Sequence, residues 1–237
     1  MLKRNIPNNI SIAQRKELLE KYRTLQPISH NWYGFDNGNT KTGISNCHGE
    51  TVLVWNLPPV SCCPGASECL NYCYNADERT DKFPIDKWCI NWFWTMHKPQ
   101  EALMYMDKQI KSISNPVIRI HSSGDFYSNE YICLWIELIT RNPQAKFWAY
   151  TRSWKITDLS ANLGKLHSLE NIQLFASLDE TSPTAPPTGW RYCIVGTAEN
   201  NSRLLNCPEQ YDSNHLSCVN CRICYSKREE NIYFTMH

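Results

Sequence analysis

Twelve cysteines are the residues of this chain best equipped for chemistry, and most of them are clustered. One group lies in Ser61-Cys62-Cys63-Pro64-Gly65-Ala66-Ser67-Glu68-Cys69-Leu70-Asn71-Tyr72-Cys73. A second comprises Cys207, Cys218, Cys221 and Cys224. In the second group, Cys218-Val219-Asn220-Cys221-Arg222-Ile223-Cys224 forms two overlapping C-x-x-C pairs. A two-residue gap lets both sulfurs of a pair reach one centre while turn N–H groups point at them. With Cys207, four thiolates match what a 4Fe-4S cubane or a tetrahedral zinc ion requires. The first group offers Cys63, Cys69 and Cys73, with Cys62 as a spare. Three thiolates leave one metal position open, as a catalytic centre needs. The alternative is a closed structural site completed by Cys62, Cys47, His48 or a distant cysteine. The expected cofactor is therefore iron–sulfur, one cluster or two, with zinc as the alternative.

Composition narrows the setting. Twelve cysteines in 237 residues is well below the density of a small disulfide scaffold. The basic start, Met1-Leu2-Lys3-Arg4, has no apolar run behind it, so it does not read as a secretory signal. No stretch approaches the ~18 apolar residues of a membrane helix. The expected compartment is a reducing cytoplasm, where clustered thiols read as metal ligands. A net charge of +1 gives no general footprint for nucleic acid or for an anionic membrane. Nine Trp and twelve Tyr supply large side chains for a core. Cys89, Cys133 and Cys193 sit inside apolar stretches and read as small core residues.

These thiols need a scaffold. Ser11 and Gln14 form a capping box for an amphipathic helix running to about Leu25. Thr51 to Trp55 reads as a strand, and the first cysteine group follows it directly. Helices are expected from Glu68 to about Glu78, from Asp86 to Trp94, and from Pro99 to Ile113. Strands at Val117–Ile120, Phe147–Tyr150 and Ile172–Ala176 then alternate with helices capped by Ser128 and Thr157. Tyr192–Val195 and Ile232–Thr235 bring the strands to about six. Alternation at this spacing implies parallel βαβ units. The expected fold is α/β, a partial or complete (β/α)6-like barrel with a small C-terminal cysteine-rich metal-binding appendage. The chain divides into a helix and loop (1–50), a barrel-like core (51–198) and the cysteine-rich segment (199–237).

In β/α folds, function gathers beyond the carboxyl ends of the strands. Here those ends carry His121, Ser122, Ser123, Gly124 and Asp125; then Thr151 and Arg152; then Ser177 with Asp179. Asp125 could accept from an amine or a ribose hydroxyl, and Arg152 could hold a carboxylate or phosphate. Gly124 could let backbone approach a ligand. These residues are candidates for cofactor binding beside the first cysteine group.

Cys63-Pro64-Gly65-Ala66 with Cys69 and Cys73-Tyr74, His121-Ser122-Ser123-Gly124-Asp125-Phe126, Tyr150-Thr151-Arg152-Ser153, and Cys207-Pro208 with Cys218, Cys221 and Cys224 together resemble the bacteriophage "gene product 88" family. More remotely, the layout resembles radical S-adenosylmethionine enzymes. That resemblance implies a β/α barrel with a cysteine loop after its first strand, whose cluster keeps one iron for S-adenosylmethionine. It also implies that Ser122 to Asp125 hold the amino group of that cofactor. The radical-enzyme loop is C-x-x-x-C-x-x-C. Here Cys69 and Cys73 supply the first two positions and Ala76 stands at the third, so Cys63 would have to complete the set.

The expected function is an iron–sulfur protein of phage type, with redox or radical chemistry on a small molecule or nucleotide. Two alternatives stand beside it. One is a zinc-stabilised module binding nucleic acid or a host protein. The other is a structural or electron-transfer cluster without catalysis.

Overall fold

The computed structural model describes residues 33–73, 75, 85–180, 184–197, 202–211 and 216–236. The expected helix ending near Leu25 lies outside them. Eight strands form one sheet: β1 (Asp36–Asn37), β2 (Thr51–Trp55), β3 (Pro116–Ile120), β4 (Lys146–Thr151), β5 (Ile172–Asp179), β6 (Tyr192–Gly196), β7 (Leu205–Asn206) and β8 (Ile232–Thr235). Their spatial order is β1-β2-β3-β4-β5-β6-β8-β7. β1 pairs antiparallel with β2, and every other pairing is parallel. Near-continuous apolar runs such as Thr51-Val52-Leu53-Val54-Trp55 suit strands buried on both faces.

Six helices accompany the sheet: α1 (Ile85–His97), α2 (Pro99–Lys111), α3 (Asn129–Arg141), α4 (Thr157–His167), α5 (Pro208–Tyr211) and α6 (Cys218–Cys221). Pro99 opens α2, where its missing N–H costs nothing. The Ser128 hydroxyl accepts from Tyr131 N–H at 3.2 Å and starts α3, as expected. Leu103, Met106 and Ile110 of α2, Ile132, Trp135 and Leu138 of α3, and Leu159 and Leu163 of α4 form one core with Leu53, Ile118, Phe147 and Leu174. The first four helices therefore cover one face of β2–β5. The alternate residues Val52, Val54, Val117 and Trp148 face the other way and pack on Val219 and Tyr225 of the C-terminal segment.

Several expectations need correction. The sheet is not closed: β1 and β7 are its edges, so the complete barrel is ruled out. β1 and β7 were not foreseen, because two residues carry no periodic pattern. The C-terminal segment is not an appendage, because β8 lies inside the sheet between β6 and β7. Of the helix expected from Glu68 to about Glu78, the described part is one 3-10 turn, Glu68–Asn71, which Tyr72 leaves at φ −134°; residues 76–78 lie outside the described residues. Ile156, not Thr157, holds the N-cap position of α4. Cys133 is exposed on α3, whereas Cys89 and Cys193 are buried as expected.

Candidate functional site

The chain leaves β2 through Leu57 and turns into the first cysteine group beyond the carboxyl ends of the strands. None of the twelve cysteines forms a disulfide. Cys62 is fully buried in the helix-side core, and its carbonyl accepts from Asp125 N–H at 3.0 Å. Cys63 takes the other direction, toward Cys69 and Cys73. Burial pushes the Cys63 thiol well up, and the neighbouring Asp125, Cys73 and Cys69 act in the same sense. Burial also raises Cys69, against the pull of Arg152. The turn sits hard against β4: a Cβ at Gly65 would lie 2.2 Å from the Arg152 carbonyl oxygen. Only glycine fits that approach. Cys47 and His48 lie before β2, at the opposite end of the strand, and cannot complete this group.

The strand-end residues hold this loop in place. Asp125 accepts from Phe126 N–H (2.7 Å), the Thr151 hydroxyl (2.6 Å), Arg152 N–H (2.8 Å) and Ser153 N–H (3.2 Å). Burial raises its carboxyl, against those four donors. Arg152 Nη1 donates to Asp179 at 2.6 Å, and its Nη2 donates to the Tyr72 hydroxyl at 3.2 Å. Tyr72 and Ser67 in turn donate to Asp179. One guanidinium and one carboxylate thus tie the cysteine turn to β4 and β5. The N–H groups of Ser122 and Ser123 donate to Asn56 Oδ1, and the Ser177 carbonyl accepts from Trp154 Nε1. Gly124, at φ +84°, is needed where a Cβ would meet Leu57 at 2.5 Å, so its close approach is to protein. His121 is buried beside Tyr131 (2.8 Å), and burial drops its pKa to about 3. It is a neutral core histidine. The hydroxyls of Ser123 and Ser153 are buried with no hydrogen-bond partner among the described residues.

The second cysteine group is built on the sheet face opposite the helices. Cys218 N–H donates to the Lys41 carbonyl and Val219 N–H to the Thr42 carbonyl, both at 2.9 Å. Arg222 ends α6 in the left-handed region (φ 65°), turning the chain so that Cys224 comes back toward Cys218 and Cys221. Glu50 pins this turn: it accepts from Arg222 (3.0 Å), the Tyr225 hydroxyl (3.0 Å) and Lys146 (2.6 Å). Cys207 N–H donates to the Tyr233 carbonyl on β8. Burial raises Cys224, with Cys218, Cys207 and Cys221 adding to it, and raises Cys218 to about 11. Cys63 thus feels Cys73 and Cys69, and Cys224 feels Cys218, Cys207 and Cys221. Among the described residues, no three His, Cys, Asp or Glu side chains converge closely enough to hold a single metal ion.

A cavity of about 200 Å³ lies between the two groups. Tyr72 closes it on the side of the first group, and Cys207, Cys218 and Cys224 wall the other. Arg119, Tyr150, Ser177, Cys193 and Phe234 line it from successive strands, all on the face turned away from the helices. Sequence reasoning missed Lys41, Tyr72 and Arg119. A signal for Arg119 was available: a guanidinium inside Val117-Ile118-Arg119-Ile120 breaks an otherwise apolar buried strand.

No helix among the described residues is long and apolar enough to cross a membrane. The chain is 28% identical to the "Gene 88 protein" of Mycobacterium phage L5 over 136 residues, which cover 50% of this chain and 54% of that protein. It is 27% identical to the "Gene 88 protein" of Mycobacterium phage D29 over 135 residues, 50% of this chain and 55% of that protein. The chain therefore spans about half the length of these curated relatives. No solved structure matches it. Residues 33–227 match the family described as Gene product 88. That match takes in both cysteine groups and the strands between them, and the chain belongs to the Gene product 88 family.

Proposed function

We propose that this protein binds iron–sulfur clusters of the 4Fe-4S type, on a partial β/α barrel resembling that of radical S-adenosylmethionine enzymes. The observation carrying this reading is that the thiols gather into two groups, Cys63/Cys69/Cys73 and Cys207/Cys218/Cys221/Cys224, each within electrostatic reach of its own members. Two groups favour two clusters over one shared site. The unpartnered hydroxyls of Ser123 and Ser153, beside Asp125 and its partners, suit donation to cluster sulfur. A bound cluster would supply one-electron redox chemistry near the cavity. With three thiolates, the first group would keep one iron open to a ligand from a small molecule or nucleotide. The host cytoplasm is the setting such a cluster would require.

A second reading, a structural or electron-transfer cluster without catalysis, gains support from Asp125. Both its oxygens are taken by four internal donors, leaving little for the amino group of S-adenosylmethionine.

Anaerobic iron and sulfide analysis, with an electron-resonance spectrum after reduction, tests the cluster. The expected result is brown protein that loses about half its iron in Cys221→Ala and about half in Cys69→Ala. Colourless, zinc-loaded protein after anaerobic iron reconstitution would rule the cluster out. Cleavage of S-adenosylmethionine by reduced protein separates the two readings.

A further inference from the structure

We infer that Arg191 is the positioning residue of the second thiol group, seating Cys224 by gathering the main-chain carbonyls on both sides of it. This rests on the cluster reading for what Cys224 would ligate, and on geometry alone for how Cys224 is held. Arg191 is buried and immediately precedes β6. Its Nε and Nη2 donate to the Glu230 carbonyl at 2.9 and 2.8 Å. Its Nη1 is shared among the Ile223 and Ser226 carbonyls, both at 3.4 Å, and Gln173 Oε1 at 3.3 Å. The guanidinium carbon lies 4.3 Å from the centre of the Phe175 ring, a face contact that fixes the plane of the fork and so the directions of its N–H groups.

Residues 222–231 form no helix or strand, so their carbonyls need donors from elsewhere. Two side chains from separate parts of the sheet divide the work around Cys224. Glu50, immediately before β2, holds Arg222 and Tyr225 through their side chains. Arg191 holds Ile223 and Ser226 through their carbonyls. The residues gripped therefore alternate, 222 and 225 against 223 and 226, and Cys224 is bracketed from both sides. The bond to Glu230 closes the far end of the same loop, where β8 begins.

Hydrogen exchange read by mass spectrometry tests this on the full chain, iron-free and after anaerobic iron reconstitution. Arg191→Met and Arg191→Lys should both speed exchange across residues 222–231 about tenfold. Lysine keeps the charge, but one ammonium cannot span carbonyls at residues 223, 226 and 230. Peptides from β3 and α3 should exchange as in the wild type, which shows that the fold persists. In reconstituted Cys69→Ala, where the C-terminal centre alone remains, adding Arg191→Lys should remove about half of the iron. It should also change the electron-resonance g values of the remainder, a signature that a general loss of stability would not move. The proposal is overturned if loop exchange is unchanged in both variants, or if Arg191→Lys keeps the exchange, iron and g values of its parent. It is also overturned if β3 and α3 loosen as much as the loop in both variants, since Arg191 would then serve the whole fold. Iron counts on the same samples keep the two ideas apart. Iron-free protein whose loop loosens retains this seating role and loses the cluster, and loaded protein whose loop does not respond has the reverse meaning.

Discussion

Arg152 and Asp179 form an ion pair 2.6 Å long across the ends of β4 and β5, with the Tyr72 hydroxyl joined to both. Both side chains are nearly buried, so the pair acts as a clamp on the turn that carries Cys69 and Cys73 rather than as surface decoration. Removing one partner strands the other charge. Asp179→Asn should lower stability by about 3 kcal/mol, and Arg152→Gln/Asp179→Asn by clearly less than the sum of its single variants. Denaturant titration of the four proteins measures this, and additive losses would show that the two charges are not coupled.

Gly65→Ala should detach the same turn by a steric route. The new methyl would collide with backbone at Arg152, which has no side chain to swing aside. On the proposed cluster reading, iron at the N-terminal group should fall by at least half while iron at the C-terminal group persists. Iron counting in Gly65→Ala combined with Cys221→Ala reads this, and as much iron as Cys221→Ala alone retains would contradict it.

Asp125 accepts from four donors at the end of β4 and in its own loop. Asp125→Ala leaves the buried N–H of Arg152 and the Thr151 hydroxyl without their acceptor, while Ser153 N–H keeps Thr151 Oγ1 at 3.0 Å, and should cost about 3 kcal/mol. Asp125→Asn, which keeps an acceptor but adds an NH2 facing donors, should cost less than Asp125→Ala. A melting-temperature series orders the variants.

Glu50 gives the fold an acid-sensitive fastening. Burial raises its carboxyl, but hydrogen bonds from Lys146, Asn46 and Tyr225, with the charge of Lys146, outweigh that and bring its pKa from 4.5 to about 2. The unfolded chain therefore binds the proton more readily than the folded one. The stabilisation is complete above about pH 4.5 and is lost as pH falls toward 2. Lys146 and Arg222 are partly solvated, so we place it at roughly 2 kcal/mol rather than the full shift. Glu50→Gln should flatten the stability–pH curve across that window, and an unchanged acid limb would refute the assignment.

Alkylation offers a separate check on the thiol map. In native protein Cys47 and Cys133 should react first, while Cys62, Cys89, Cys193 and Cys207 stay protected until the chain unfolds. Mass spectrometry under anaerobic conditions follows each site. Early loss of Cys62 would place it outside the core.

The strands and long helices were legible because their patterns are strong. Thr51–Trp55 and Ser128 with α3 declare themselves through an apolar run and a cap. The thiol grouping was legible from spacing alone. What escaped was tertiary. Nothing local to Cys62 and Cys63 says which points inward; the contact of Cys62 with Asp125 decides it. Asp125 read as a ligand-binding carboxylate because three of its four donors arrive from Thr151, Arg152 and Ser153 at the end of β4, which the sequence alone does not bring beside it. Gly124 read as open for the same reason, since Leu57 fills its space only after folding. The reach of Tyr72 depends on a helix that stops after one turn.

β8 follows β7 in the sequence, yet it sits between β6 and β7. While the chain is still emerging from the ribosome, Leu205–Asn206 has no neighbour to pair with. The segment carrying Cys207 gains its place in the sheet only when Ile232–Thr235 slides in. Synthesis therefore completes the surroundings of Cys207 only after Ile232–Thr235 is made, and a chain without those four residues would carry all twelve cysteines but lack the strand whose Tyr233 carbonyl holds the Cys207 N–H.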